Sequence, residues 1–268
     1  MAVADWLTND LTSTKSPGYS LMRLVQGVRI LSGLTARGPA AVAVSSIIPR
    51  TSGNVPVGSC VSPANSSAAC FGANAVTAGS IKSMDLPATA GGQTTISTTV
   101  SGAPFMANSL FCMSKANGAS PAGEILIGET TAGGLTGYGR FSSGSFNPTT
   151  GALTINFASA PPAGTVLTCY DVNTSTTTPS YRNYLNAVMC KAASASADGT
   201  LSGPLVGWWG RFIDTAATVE NAPNTCAGAG DGLWGSLSNT SDQTHPTYAG
   251  HQFMAVPVQA TRQAIIGR

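Results

Sequence analysis

Two changes in composition along the chain constrain its fold more than any other feature. Between about residues 55 and 178 the sequence is rich in Gly, Ser, Thr and Ala and shows no convincing helical period, whereas the segments on either side carry helical patterns. Alternating helices and strands are typical of α/β proteins, and runs of short strands are typical of antiparallel sandwiches. We therefore predict a discontinuous α/β domain (residues 1–54 and 179–268) that carries an inserted β-sandwich-like domain (residues 55–178).

The outer segments predict helices that alternate with buried strands. Ser16 and Pro17 suit the N-cap and the first position of a helix that Gly33 would end. Apolar residues at helical spacing predict a second helix over residues 181–192, and Pro257 is expected to separate two short final helices. The predicted buried strands, both short and nearly continuous apolar runs, are residues 41–48 and 207–213.

The middle segment predicts strands separated by Gly, Pro and Asn. A hairpin turn is expected at residues 149–151. The predicted strands, rich in β-branched and aromatic residues, are residues 94–100, 109–113, 124–127, 152–157 and 165–172.

The low charge of the chain excludes several classes of partner. Only 9% of the residues are charged and the formal net charge is +2, without a cluster of Lys or Arg that would bind nucleic acid. No apolar run approaches the roughly twenty residues that span a membrane, and the N-terminal residues lack the pattern of a signal peptide. The low charge and the even cysteine count favour an extracellular or cell-envelope location.

Six cysteines, none in a C-x-x-C spacing, favour disulfides over a metal site. The pairing that we consider first joins neighbours along the chain, although six cysteines allow fifteen connectivities and buried free thiols are the alternative. The pairs are Cys60–Cys70, Cys112–Cys169 and Cys190–Cys226. With only two histidines and scattered thiols, we expect no metal.

The candidate catalytic residues are Asp242 and His245, which lie three residues apart. A histidine that acts as general base needs a carboxylate to hold its second ring nitrogen, and a short loop can supply both groups. The alternative is a surface histidine before a helix, with Asp242 capping the turn.

Asp242, His245 and Pro246 resemble the last block of the SGNH (GDSL-type) hydrolases, which is D-x-x-H, commonly followed by Pro and a helix. Asn9 and Asp10 resemble the family's N-D block, although Leu7 replaces its Gly. The resemblance covers roughly residues 5–54 and 180–268. Its intermediate parts, in the family's order, are residues 45–51, 182–186 and 212–214.

The resemblance implies a flavodoxin-like three-layer α/β sheet and a serine-type ester hydrolase without a cofactor. His245 would be the general base, Asp242 would orient it, and Asn9 would donate to the oxyanion. The family's G-D-S block, which holds the nucleophilic Ser, is absent, and so are the first strands of the sheet. We therefore expect the isolated chain to be nearly inactive, and expect a longer reading frame or a second chain to complete it, unless the chain is a protein that has lost catalysis.

Two functional hypotheses follow. The first is an esterase that acts on small acyl esters or acylated carbohydrate. The second is a non-catalytic module, built on a degenerate hydrolase scaffold, whose β-rich part binds carbohydrate or protein.

Overall fold

The computed structural model describes residues 2–4, 16–33, 42–51, 70–71, 81–115, 123–131, 134–174, 181–193, 210–222, 226, 233–242 and 245–266. The helices are α1 (Pro17–Gly33), α2 (Tyr181–Ala193) and α3 (Tyr248–Ile266). The strands are β1 (Ala2–Ala4), β2 (Val42–Ser45), β3 (Arg50–Thr51), β4 (Cys70–Phe71), β5 (Ile81–Asp85), β6 (Thr95–Thr99), β7 (Phe111–Ser114), β8 (Leu126–Thr131), β9 (Gly134–Tyr138), β10 (Phe141–Asn147), β11 (Ala152–Phe157), β12 (Leu167–Val172) and β13 (Gly210–Ile213).

The fold is dominated by one curled, antiparallel, eight-stranded sheet with the order β5-β12-β7-β8-β9-β10-β11-β6. A three-stranded parallel sheet (β1-β2-β13) and the short pair β3-β4 complete the described strands. The predicted flavodoxin-like three-layer α/β sheet is therefore wrong, and the strands of the middle segment form one curled sheet instead of a sandwich.

The physical reason for this error is the relative size of the two sheets. The parallel strands have only three or four residues each, whereas β8, β10, β11 and β12 have six or seven. Strands and helices do follow one another in the outer segments, and β13 and β2 pair in parallel. However, it accounts for the smaller part of the described structure. The division of the chain into an outer domain and an insert stays a prediction.

Both faces of the central strands β7, β8 and β12 are buried. One face packs inside the curl of the sheet, where Cys112, Ile127 and Cys169 contact apolar residues of β6 and β11. The opposite face, which includes Phe111 and Tyr170, packs under α1 and α2 in a core that also contains Val44 of β2. Helices α1 and α2 and strand β2 therefore share one hydrophobic core with the eight-stranded sheet. Helix α3 packs instead against a separate small cluster that contains Trp234.

The first turn of α1 is fitted closely to the sheet. The Ser16 hydroxyl accepts a hydrogen bond from the backbone N–H of Tyr19 at 3.2 Å, which confirms the predicted N-cap, and also donates to the Glu129 carbonyl. A Cβ atom on Gly18 would lie 2.2 Å from the Leu110 carbonyl oxygen, and one on Gly128 would lie 2.5 Å from the Gly18 oxygen. Only glycine at both positions permits this approach of the helix to β8.

Most predicted elements occur near their expected bounds. The turn at residues 149–151 joins β10 to β11, where the Asn147 side chain accepts hydrogen bonds from the N–H groups of Thr149 and Thr150 at 3.0 and 3.2 Å. The final helix continues through Pro257 instead of breaking there. Pro257 deprives this helix of one backbone donor but does not end it. None of the described helices is both long and apolar enough to cross a membrane.

Two of the three expected disulfides are present. Cys112 and Cys169 lie opposite each other on β7 and β12, and their bond closes a separation of 57 residues. Cys190 of α2 is bonded to Cys226, 36 residues later. The Cys60–Cys70 pair falls partly outside the described residues. The two bonds are compatible with an extracellular protein.

A buried carboxyl lies where α2 meets the sheet. The Oδ1 atom of Asp171 accepts hydrogen bonds from the Ser109 hydroxyl and, at 2.7 Å, from the N–H of Val172. Its Oδ2 atom has no hydrogen-bond partner in the described part of the chain. Burial, and secondarily the nearby Glu129 carboxyl, raise the pKa of Asp171 well above its usual range. The Tyr184 hydroxyl donates to the Ser109 carbonyl at 2.7 Å in the same region, and burial raises its pKa as well.

This carboxyl makes stability depend on pH in a defined direction. Because its pKa is raised in the folded state, Asp171 supports folding fully below its unfolded value of about 3.8, and this support is lost as the pH rises through the folded-state value. We expect Asp171→Asn, which keeps the Oδ1 acceptor, to have a higher free energy of unfolding than the wild type. This increase should be larger at pH 8 than at pH 4. Urea unfolding at both values measures this. Asp85→Asn controls for the change in net charge; because it also removes the exposed ion pair with Lys115, it should not raise the free energy of unfolding at pH 8. An equal increase in both variants would contradict the assignment.

Candidate active site

The structure brings Asp242 and His245 together as the sequence predicts. The Oδ2 atom of Asp242 lies 2.6 Å from Nδ1 of the His245 ring, and Oδ1 accepts a hydrogen bond from the His245 backbone N–H at 2.7 Å. Asp242 therefore both caps the turn and contacts the ring, and the catalytic role of the pair stays a prediction. The side chains are 50% and 75% exposed, respectively.

The geometry of this pair defines which ring nitrogen can act as a base. An ionised carboxylate only accepts hydrogen bonds, so the neutral imidazole carries its proton on Nδ1 and keeps the lone pair on Nε2. Among the described residues, none hydrogen-bonds to Nε2 of His245. This nitrogen therefore faces outward from Asp242 and can take a proton from a hydroxyl group.

The turn that carries the pair is closed by its own backbone. Thr240 and Pro246 form an antiparallel bridge, and the Thr240 hydroxyl donates to the His245 carbonyl at 2.8 Å. The N–H of Thr247 donates to the Asn239 carbonyl at 2.9 Å. These bonds fix both ends of the turn between residues 239 and 247.

The first turn of helix α3 packs against the turn that carries Asp242 and His245. Thr247 caps the helix, since its hydroxyl accepts from the N–H of Gly250 at 3.3 Å and donates to the Ser238 carbonyl. A Cβ atom on Gly250 would lie 2.4 Å from the Asn239 carbonyl oxygen and 3.0 Å from Cβ of Pro246. A glycine here lets the first turn of the helix contact the residues that flank Asp242 and His245.

The preceding segment anchors the turn to the core through Trp234. This side chain is fully buried and packs in a small cluster with Ile48 and Val219, against which Met254 of α3 also packs. Backbone hydrogen bonds join residues 219–221 to residues 233–235, including Gly235 N–H to the Val219 carbonyl at 2.8 Å. Glu220 and Trp234 form an antiparallel bridge.

Glu220 forms a buried ion pair with Arg182 of α2. Two guanidinium nitrogens of Arg182 lie 3.0 and 2.9 Å from the two carboxylate oxygens of Glu220, and both side chains are at most 2% exposed. The Nε–H of Arg182 also points at the carbonyls of Ile47 and Ile48, at 2.9 and 3.1 Å. This arginine therefore ties three segments together at the carboxyl end of β2.

Asn186, one helical turn after Arg182, binds the same loop. Its Oδ1 atom accepts from the Ile47 N–H at 2.7 Å, and its Nδ2 group donates to the Ile47 carbonyl at 2.9 Å. The apolar period predicts this helix, and residues 182–186 belong to the resemblance described above, but neither pattern predicts the polar contacts of Arg182 and Asn186. The available signal was the i, i+4 spacing of Arg182 and Asn186, which places both on one side of the helix.

The carboxyl ends of β2 and β13 are joined by a second set of polar contacts. The Ser46 hydroxyl donates to Oδ1 of Asp214 at 3.0 Å and accepts from the Ala216 N–H at 2.7 Å. The Thr215 hydroxyl donates to the Ser46 carbonyl at 3.1 Å. These bonds hold the residues that follow β13, from which the chain continues toward the turn that holds His245.

The other site predictions have different outcomes. Asn9, the predicted oxyanion donor, lies outside the described residues, and no nucleophile was assigned to this sequence. In the ranges that the structure describes, no cluster of three His, Cys, Asp or Glu side chains is placed to hold a metal ion. No family model, curated protein or solved structure matches the chain. The resemblance to SGNH hydrolases therefore stays a prediction.

The contact between Asp242 and His245 predicts the tautomer of the ring. We expect nitrogen-15 NMR of the neutral imidazole to show the proton on Nδ1 of His245, because the carboxylate accepts it there. In Asp242→Ala the population of the Nδ1–H tautomer should fall, because no carboxylate accepts its hydrogen bond. His251, the second histidine of the chain, lies in α3 and is the internal control, so its signals should not change. An Nε2–H tautomer for His245 in the wild type would contradict this geometry.

Proposed function

We propose that this chain provides the general base of a serine-type ester hydrolase. The observation that carries the proposal is the 2.6 Å contact between Nδ1 of His245 and Oδ2 of Asp242, which leaves Nε2 accessible. This is the arrangement that activates a hydroxyl nucleophile in hydrolases that use a histidine and a carboxylate. The order of motifs along the sequence, which resembles that of SGNH hydrolases, supports the same assignment.

The proposed reaction proceeds in two stages. In the first, Nε2 of His245 takes the proton of a serine hydroxyl while its oxygen attacks the acyl carbon of the ester, and the protonated ring then donates that proton to the departing alcohol. In the second, His245 deprotonates a water that attacks the acyl carbon, the bond to the serine oxygen breaks, and the protonated ring returns the proton to that oxygen as the acid leaves. Asp242 stabilises the imidazolium that forms in each stage. The amide of Asn9 is proposed to donate to the oxyanion, and the chemistry needs no cofactor.

The proposed substrates are small acyl esters, including acylated carbohydrates. The nucleophilic serine belongs, in this proposal, to a segment or a second chain beyond this sequence, so the isolated chain is expected to be nearly inactive. The two disulfides support a place outside the cell or in the cell envelope.

The test is ester hydrolysis by the protein as its natural source produces it, with each substitution introduced into the gene. With p-nitrophenyl acetate as substrate, His245→Ala should reduce kcat by about a million-fold, to the background of the assay, because the hydroxyl is no longer activated. Asp242→Asn should reduce it by about ten-thousand-fold. His251→Ala is the matched control, since it removes the other histidine, and should retain activity.

A fluorophosphonate that labels activated serines identifies the nucleophile in the same preparation. Labelling of one serine should be slowed strongly in His245→Ala and unchanged in His251→Ala. If His245→Ala hydrolyses the ester at the wild-type rate, the assignment of the base is wrong. If the wild-type protein neither hydrolyses esters nor reacts with the probe, the non-catalytic binding module becomes the better hypothesis.

A further inference from the structure

Strand β6 lies at one end of the eight-stranded sheet and pairs with β11 alone among the described strands. The N–H of Phe157 donates to the Thr94 carbonyl at 2.8 Å, and the N–H of Val100 donates to the Gly151 carbonyl at 2.9 Å. In an antiparallel pair, alternate residues point their backbone groups to the same side. The even-numbered residues of β6 therefore bond to β11, whereas Thr95, Ser97 and Thr99 direct their N–H and C=O groups away from the sheet.

These outward backbone groups form a template for another strand. Thr95, Ser97 and Thr99 are all exposed. Of their backbone groups, the Thr95 carbonyl accepts a hydrogen bond from the Gln93 side chain at 2.8 Å. No described segment pairs with the other backbone groups of these three residues, so the edge offers donors and acceptors at a regular two-residue spacing.

The edge lacks the residues that usually prevent strands from pairing between molecules. Residues 90–102 contain no charged residue and no proline, and residues 94–100 are rich in Thr, Ile and Val. The opposite edge strand, β5, contains Lys82 and Asp85, and Asp85 pairs with Lys115 at 2.5 Å. Within the described residues, the sheet is therefore protected by charge at the β5 edge and carries no such charge at the β6 edge.

The outward side chains next to this edge form uncharged polar rows across three strands. In one row, Asn156 donates to Ser143 and accepts from Thr95, both at 3.0 Å. In the next, the hydroxyls of Thr154 and Ser97 are 3.5 Å apart. Each row ends at β6, and a strand that continues it must present small hydroxyl side chains at alternate positions. Strand β6 itself has this pattern.

We propose that β6 pairs with β6 of a second copy of this chain, in an antiparallel two-fold arrangement. Ser97 then lies opposite Ser97 of the partner, and Thr95 lies opposite the partner's Thr99. Among two-fold registers, this one uses all three outward residues of both strands, and each pair exchanges two backbone hydrogen bonds. The Thr95 carbonyl, which also accepts from the Gln93 side chain, uses its second lone pair for this bond. Two uncharged edges meet without repulsion, and the polar rows continue into the second molecule.

The first test is the concentration dependence of sedimentation velocity. The wild type should pass from monomer to dimer as its concentration rises. Ser97→Lys places like charges opposite each other at the two-fold axis and should weaken association at least tenfold. The matched control is Ser145→Lys, because Ser145 is exposed in the same row but lies on β10, between β9 and β11. A wild type that stays monomeric, or equal effects of the two substitutions, would overturn the proposal.

The second test reads the register directly. Directly opposed residues in a hydrogen-bonded antiparallel pair have Cα atoms about 5.5 Å apart, which a disulfide can span. Ser97→Cys should therefore oxidise to a covalent dimer on a non-reducing gel. Thr95→Cys alone should not, since its partner is Thr99, whereas the combination Thr95→Cys with Thr99→Cys should. Cross-linking of Ser145→Cys at the rate of Ser97→Cys would contradict this register.

Discussion

The position of the candidate site depends on the buried ion pair between Arg182 and Glu220. Removing both charges from water costs several kcal/mol per ion, and a buried pair is retained only if its remaining hydrogen-bonding capacity is satisfied. Here the carboxylate receives two guanidinium nitrogens, and the Nε–H of Arg182 is shared between two carbonyls of the loop after β2. One side chain of α2 thereby fixes both the parallel sheet and the segment that leads to the site.

Only a few contacts separate this ion pair from Asp242 and His245. Glu220 bridges to Trp234, whose ring fills the cluster beneath α3, and the chain then turns back on itself around Asp242 and His245. The pair itself is exposed, and an exposed ionic contact contributes at most about 1 kcal/mol to stability. The orientation of His245 therefore rests on the packing and backbone bonds of the surrounding turn at least as much as on the carboxylate.

Local patterns in the sequence predicted local structure well, and global architecture less well. The cap at Ser16, the hairpin after Asn147 and the contact of Asp242 with His245 each depend on residues within a few positions, so their spacing is informative. The strands β9 and β10, rich in Gly and Ser, carry no strong strand signal, so the sequence predicts neither these strands nor the full extent of the antiparallel sheet. The Arg182–Glu220 pair joins residues 38 positions apart, and no local pattern marks such a contact.

Amide hydrogen exchange in Glu220→Gln tests most directly whether the buried ion pair holds the site. The substitution keeps the size of the side chain but leaves the Arg182 charge buried without a counter-charge. The account predicts faster exchange at the amides of Asn221, Gly235 and Thr247, with unchanged exchange where β6 meets β11, at Val100 and Phe157. Unchanged exchange between residues 219 and 247, or an equal increase in both regions, would contradict it.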